Sequence, residues 1–305
     1  MTTNNRPLLV VITGPTAVGK TDICVKIAQY FDTEIISADS RQLYKELSIG
    51  TAKPSATEMQ NIKHHFIGSH SIQEDYNVND FEKEALTLLD KLFLKHKIII
   101  LTGGSGLYIN ALCEGFDEKI PGSDDIIRAE LNKMYNKYGI QILQEKLKQL
   151  DPIFYNEIDL NNVKRIQRAI EVCMITGGEY SKIRQGNKQN RNFRVLKIGL
   201  NRNREELFGR INQRVDLMLH NGLLDEVESV IKYRDKNPLK TVGYTELFDY
   251  LDNITSLQEA TEKIKVNTRR YAKRQLGWFK KNEDYKWFHP NYQEEIINYI
   301  SINLI

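Results

Sequence analysis

Gly14-Pro15-Thr16-Ala17-Val18-Gly19-Lys20-Thr21 fits the pattern G-x-x-x-x-G-K-[ST], and what flanks it decides the fold. Before it, Leu8–Thr13 is a short apolar run of β type; after it, a helical pattern reaches about Phe31. Strand, loop and helix in that order are the context in which this pattern builds a phosphate cradle. Glycines let the loop wrap an anion with backbone N–H groups, and the helix amino terminus adds positive dipole. Lys20 reaches terminal phosphate oxygens, and the Thr21 hydroxyl can ligate magnesium. The pattern does not say which phosphate compound binds.

Working outward, a second strand is expected over Glu34–Ala38, ending at Asp39. A third runs over Lys97–Thr102 into Gly103-Gly104-Ser105-Gly106, and a fourth over Val195–Leu200. Continuous apolar strands separated by helical segments are what a parallel sheet buried on both faces requires. The fold class is therefore α/β, with a P-loop NTPase-like parallel sheet core over residues 1–113 and 195–305. Residues 114–194 read as an inserted helical subdomain. Within it, Pro121-Gly122-Ser123 marks a break and Asp124 can cap a helix through about Tyr138. The clearest helix runs from about Asn162 to Thr176: Ile166, Ala169, Ile170 and Cys173 form its buried stripe, and Gly177-Gly178 stop it. Lys164, Arg165 and Arg168 then point away from that stripe. Glu294–Ile305 reads as a final helix on the core.

Composition bounds the class. With 305 residues, 41% hydrophobic and 27% charged, 7 Pro and 18 Gly, the chain has the make-up of a globular protein and not of a disordered or collagenous one. Its longest apolar runs, Leu8–Ile12 and Ile98–Leu101, fall far short of the ~20 residues of a membrane-spanning helix. The early apolar run leads straight into the glycine loop without the pattern of a secretory signal, so a cytoplasmic protein without membrane contact is expected; a monomer is expected as well, with no residue pattern that fixes the oligomeric state. Cys24, Cys113 and Cys173 are far apart and read as small core residues. His64-His65 with His70 fits no zinc spacing and reads as turn and core.

The net charge is only +3, but it is unevenly spread. Residues 1–113 carry 11 Lys/Arg against 12 Asp/Glu, so the positive balance lies later. Lys164, Arg165, Arg168, Lys182, Arg184, Lys188, Arg191, Arg194 and Lys197 face only Glu171 and Glu179 within their stretch. Lys263 to Lys281 holds eight basic residues and no acid. Such local excess points to a polyanion-binding surface. Arg269, Arg270, Lys273 and Arg274 share helical spacing there, while Tyr271 and Trp278 read as core residues on one stripe with Ile264.

In P-loop hydrolases a second apolar strand ends in the Asp that holds magnesium. Here Ile98–Leu101 ends in Thr102-Gly103-Gly104-Ser105, which weakens the ATPase reading. The acid at a strand's carboxyl end is Asp39, where doubly wound sheets place ligand-contacting residues. Position alone leaves it open whether Asp39 is a general base, a turn cap or a magnesium ligand.

Several segments together resemble the bacterial tRNA dimethylallyltransferases, or tRNA isopentenyltransferases, of the IPP transferase family. They are the Gly14–Thr21 loop, Ser37-Ala38-Asp39-Ser40-Arg41-Gln42-Leu43-Tyr44, Ile49-Gly50-Thr51-Ala52-Lys53-Pro54 and Gly103-Gly104-Ser105-Gly106-Leu107-Tyr108. Arg165–Glu171, Val242-Gly243-Tyr244 and Thr268–Phe279 extend the likeness over nearly the whole chain. The resemblance implies transfer of a dimethylallyl group from dimethylallyl diphosphate to N6 of the adenosine just 3′ of the anticodon, with release of pyrophosphate. It implies that Gly14, Thr16, Ala17, Val18, Gly19, Lys20 and Thr21 cradle the diphosphate with Mg2+, and that Asp39 takes a proton from the adenine amine. It implies that Ser40, Arg41 and Gln42 join Asp39 at the target nucleotide, with the Ser105 hydroxyl assisting. The family usually has Thr at that last position, so the hydroxyl is kept but its rotamer is less restricted. Arg128, the segment Lys164, Arg165, Ile166, Gln167 and Arg168, and Lys240, Gly243 and Tyr244 match segments that grip a tRNA anticodon stem-loop. Arg269, Arg270, Lys273 and Arg274 are expected to join them on charge. Arg210 or Arg214 would stabilise the departing pyrophosphate. Two other classes stay open on the residues alone: a P-loop small-molecule kinase using ATP, and a non-catalytic RNA-binding module.

Overall fold

The computed structural model describes residues 6–115, 120–184 and 189–304. Lys188 of the first basic stretch, and Ile305, lie outside the described residues. Six strands form one sheet: β1 (Leu8–Thr13), β2 (Ile35–Ser37), β3 (His64–His65), β4 (Ile98–Gly103), β5 (Arg194–Leu200) and β6 (Lys286–Phe288). Their order is β3-β2-β4-β1-β5-β6 and every pairing is parallel. Four of them are the expected strands. The two edge strands, of two and three residues, are too short to show a period in the sequence.

The chain forms two compact units, Met1–Cys113 with Arg191–Ile305, and Glu114–Asn190. In the first, β1 is buried throughout and its side chains alternate between two cores. Leu9 and Val11 pack with Ile36, Leu101, Phe81 and Tyr244, whereas Leu8, Val10 and Ile12 pack with Ile23, Ile27, Ile100 and Ile300. A central strand covered on both faces has no use for polar side chains, hence the unbroken run Leu8–Ile12. Cys24, Cys113 and Cys173 are buried, as expected of small core residues. Among the described residues no helix is long and apolar enough to cross a membrane.

The second unit is helical, with helices Asp125–Tyr138, Ile140–Leu150, Pro152–Glu157, Val163–Thr176 and Tyr180–Ile183 around Leu131, Leu143, Leu147, Phe154, Ile166 and Ile170. Its caps follow the sequence. The Asp124 carboxylate accepts the Ile126 and Ile127 amides, and Gly177, at φ +68°, ends the fourth helix in the left-handed conformation glycine tolerates. The buried Glu171 carboxylate accepts from Arg128 Nε at 2.9 Å, Arg168 Nη1 at 2.6 Å and the Asp124 amide at 2.8 Å. A carboxylate out of water needs such partners, and two of the unit's arginines supply them.

The first basic stretch therefore does not form one surface. Arg191 and Lys197 are largely buried in the first unit, on Glu82 and Asp284, and Arg194 donates to the Arg6 and Leu304 carbonyls.

Candidate active site

The register of the sheet assembles the site. Thr13 is level with Gly103, and Ser37 with Thr102, so β1, β4 and β2 end side by side and their next loops meet. Those loops carry the Gly14–Thr21 pattern, Gly103-Gly104-Ser105 and Asp39-Ser40-Arg41-Gln42.

In the first loop, Ala17 and Gly19 have φ of +63° and +105°, and the helix Lys20–Phe31 starts without a side-chain cap. Its leading amides are thus open to an anion. The Ala17 and Val18 carbonyls accept from Arg210 Nε and Arg202 Nε, each at 2.8 Å. The Lys20 ammonium folds back onto the Gly14 and Pro15 carbonyls at 3.0 and 2.9 Å. Burial pushes its pKa down to about 8, with the Asp39 carboxylate opposing and the Arg214 guanidinium adding to the fall.

In the second loop Asp39 Oδ1 accepts the Arg41 and Gln42 amides at 3.0 and 3.4 Å, a turn cap. Oδ2 makes no hydrogen bond among the described residues, so one carboxylate performs the capping and keeps an oxygen for other chemistry. Gln42 Nε2 donates to the Thr51 and Ala52 carbonyls at 3.1 and 3.0 Å. The third loop lies against the second so closely that a Cβ on Gly103 would sit 2.2 Å from the Ala38 carbonyl oxygen. Ser105 Oγ accepts the Ser40 amide at 2.9 Å and donates to Ser40 Oγ at 3.1 Å.

These loops wall a channel of about 380 Å³, a volume suited to a small substrate. Thr16, Lys20, Thr21, Asp39, Arg41 and Gln42 line it, as do Arg210 and Arg214 from the helix Arg204–His220. Apolar side chains, Val215, Met218, Leu223 and Ile264, line it too. Burial beside Arg210 lowers the Arg214 pKa. Arg214 makes no ion pair among the described residues, and the Glu58 carboxylate, which also lines the channel, opposes the fall in its pKa. The described residues contain no group of three or more His, Cys, Asp or Glu suited to a metal ion.

The residues expected on RNA separate into two kinds. Lys164, Arg165, Lys240, Arg270, Lys273 and Arg274 are exposed. Arg269 is half-buried with Nη1 on Asn212 Oδ1 at 2.6 Å, and Gln167 Nε2 donates to Asn132 at 2.9 Å. Ile166 and Tyr244 are fully buried, so their side chains do not face solvent. Ile166 fills the core of the helical unit, and the Tyr244 hydroxyl donates to Glu226 at 2.6 Å. Gly243, with its amide on Glu246 at 2.8 Å, lines the channel. Arg128 and Arg168 reach Glu171, which ties both to packing. Tyr271 and Trp278, read as core, are instead 38% and 48% exposed; Tyr271 faces the channel.

Two residues escaped the sequence reading. The Glu226 carboxylate accepts the Ser48, Ile49 and Gly50 amides at 2.8, 2.7 and 2.9 Å and so fixes one wall segment. Nothing local marks a single acid on a surface helix for such a task. Gln275 bridges two of the loops; its signal is a lone amide on the apolar side of an amphipathic helix.

Comparison with known proteins matches residues 42–282 to the family model described as IPP transferase. A tRNA dimethylallyltransferase of Flavobacterium johnsoniae is 50% identical over 303 residues, covering 97% of this chain and 98% of that one. A tRNA dimethylallyltransferase 2 of Azobacteroides pseudotrichonymphae is 50% identical, covering 94% and 93%. Among solved structures, the full-length tRNA isopentenylpyrophosphate transferase of Bacillus halodurans superposes with a TM-score of 0.73 at 38% identity, over 98% of this chain and 97% of that one. A eukaryotic dimethylallyltransferase captured acting on tRNA gives 0.74 at 28% identity, over 89% of this chain and 69% of that one.

Proposed function

Because this chain belongs to the IPP transferase family, whose members modify tRNA by prenyl transfer, we propose that its channel joins dimethylallyl diphosphate to N6 of the adenosine just 3′ of the anticodon. One observation carries this reading: Asp39, whose Oδ2 makes no hydrogen bond among the described residues, lines the same channel as the phosphate loop and two arginines. An exocyclic adenine amine is a poor nucleophile and an allylic diphosphate a poor electrophile until its leaving group is neutralised. The channel supplies help on both sides.

N6 attacks the first allylic carbon, the carbon–oxygen bond to the diphosphate breaks, and pyrophosphate departs with the bonding pair. Asp39 takes the proton from N6. The loop amides, Lys20, Arg210 and Arg214 meet the charge that grows on the leaving oxygens. Ser105 holds the Ser40 amide and so steadies the turn that carries Asp39. A hydroxyl beside an anion site, with no group of three or more metal-ligating side chains among the described residues, suits Mg2+; Thr21 would hold it, and the ion would add charge neutralisation there.

The anticodon loop is single-stranded, so its adenosine leaves the stack at low energetic cost. The exposed Lys164, Arg165, Lys240, Arg270, Lys273 and Arg274 would contact the RNA backbone. Incubation with dimethylallyl diphosphate labelled in the prenyl group, Mg2+ and unmodified tRNA tests the whole reading. Label should appear in the RNA at that adenosine. Transfer of phosphate from ATP to a small molecule, with no label in RNA, would favour the kinase instead.

A further inference from the structure

We propose that Gln275 is a positioning residue, whose side-chain amide ties the phosphate loop to the loop beside Asp39 and so sets the distance between leaving group and base. This rests on the prenyl-transfer reading of the channel.

The helix Leu257–Lys280 buries Ala260, Ile264, Ala272, Gln275 and Phe279, and four of these five are apolar. A filler at Gln275 would be Leu or Met, because burying an amide without partners is unfavourable. Gln275 is 6% exposed and both ends of its amide are used. Oε1 accepts the Thr16 N–H at 2.8 Å, and Nε2 donates to the Gly104 carbonyl at 3.0 Å. The reversed amide would set N–H against N–H and oxygen against oxygen, so the network admits one orientation.

The place of this tie gives it its consequence. The β1–β4 ladder ends at the pair Thr13 and Gly103, and Gln275 adds one rung beyond it, supplied by a helix instead of a strand. Thr16 belongs to the phosphate loop. Gly104 adjoins Ser105, which grips Ser40, and a Cβ built on Gly104 would lie 3.7 Å from Asp39 Oδ2. The two loops that hold the two reacting partners therefore share one amide as their spacer. A slip of about 1 Å between reacting groups lowers rate by about a hundredfold without a matching loss of binding.

Two substitutions break the tie from opposite sides. Gln275→Leu removes both hydrogen bonds at similar volume. Gly104→Ala places a Cβ 2.2 Å from Gln275 Nε2 and displaces the amide without altering it. Single-turnover prenyl transfer to unmodified tRNA should fall by roughly ten- to a hundredfold in each. The Kd for dimethylallyl diphosphate and for tRNA, each measured by direct titration, should stay near wild type. The double variant should be no slower than the slower single variant, since both break one interaction. Gln275→Glu keeps the acceptor for Thr16 and loses the donor to Gly104, so it should fall between wild type and Gln275→Leu. A wild-type rate in Gln275→Leu, or additive losses in the double variant, overturns the tie while leaving the prenyl-transfer reading intact; if Gln275→Leu does not fold, the Glu and Gly104→Ala variants decide in the same way. Absence of transfer by the wild type overturns both.

Discussion

Ser105 and Ser40 are joined twice: Ser105 Oγ accepts the Ser40 amide at 2.9 Å and donates to the Ser40 hydroxyl at 3.1 Å. This fastens the loop after β4 to the turn that presents Asp39. Ser105→Ala removes both hydrogen bonds, each contributing roughly 1 kcal/mol net, and should slow single-turnover transfer at least about fivefold. Ser105→Thr keeps the oxygen and should remain near wild type. Equal rates for Ala and Ser would show that the hydroxyl does not matter.

Lys20 makes the diphosphate site sensitive to alkali. Its pKa in the empty channel is about 8, and a bound anion favours the charged form and raises it. The protein therefore takes up a proton on binding above pH 8. Affinity for dimethylallyl diphosphate should be level below pH 8 and then weaken by up to about tenfold per pH unit. Calorimetric titration across pH 7 to 9.5 checks this. Lys20→Met should bind weakly and lose the slope; a slope that survives in the variant would assign it to another group.

The helix Val163–Thr176 presents two kinds of arginine. Lys164 and Arg165 are exposed, and changing both to Ala should weaken tRNA binding and flatten log K against log salt by roughly 0.7 to 0.9 per lost contact. Arg168 is held by buried Glu171 and two backbone carbonyls. Arg168→Ala should lower stability by about 1–3 kcal/mol, because it strips a partner from a buried charge. Filter binding across a salt series, beside thermal unfolding, separates the two effects. An unfolding midpoint unmoved by Arg168→Ala would contradict the packing role.

How legible all this was in the sequence depends on whether the signal is local. Gly14–Thr21, the strand before it and the helix after it are contiguous, so spacing alone discloses the phosphate loop. Leu8–Ile12 and Ile98–Leu101 disclose a doubly covered sheet because burial on both faces leaves no polar position. Periodicity also finds the apolar stripe of Leu257–Lys280, but not what lies opposite it. Tyr271 and Trp278 thus look like core in the sequence, although one faces a channel and the other packs on Gly106 with half its surface open. Tyr244 and Glu226, 18 positions apart in sequence, meet only in the folded chain. Gln275 reads as an ordinary polar residue until Thr16 and Gly104 are seen on either side of it.

Asp39 is the residue on which prenyl transfer depends most directly. With saturating dimethylallyl diphosphate, Mg2+ and unmodified tRNA, the single-turnover rate of Asp39→Ala should fall by about two to four orders of magnitude, the usual contribution of a general base. Its affinities for tRNA and for the diphosphate, titrated separately, should change little. Near wild-type transfer by Asp39→Ala would take the carboxylate out of the mechanism and contradict the account.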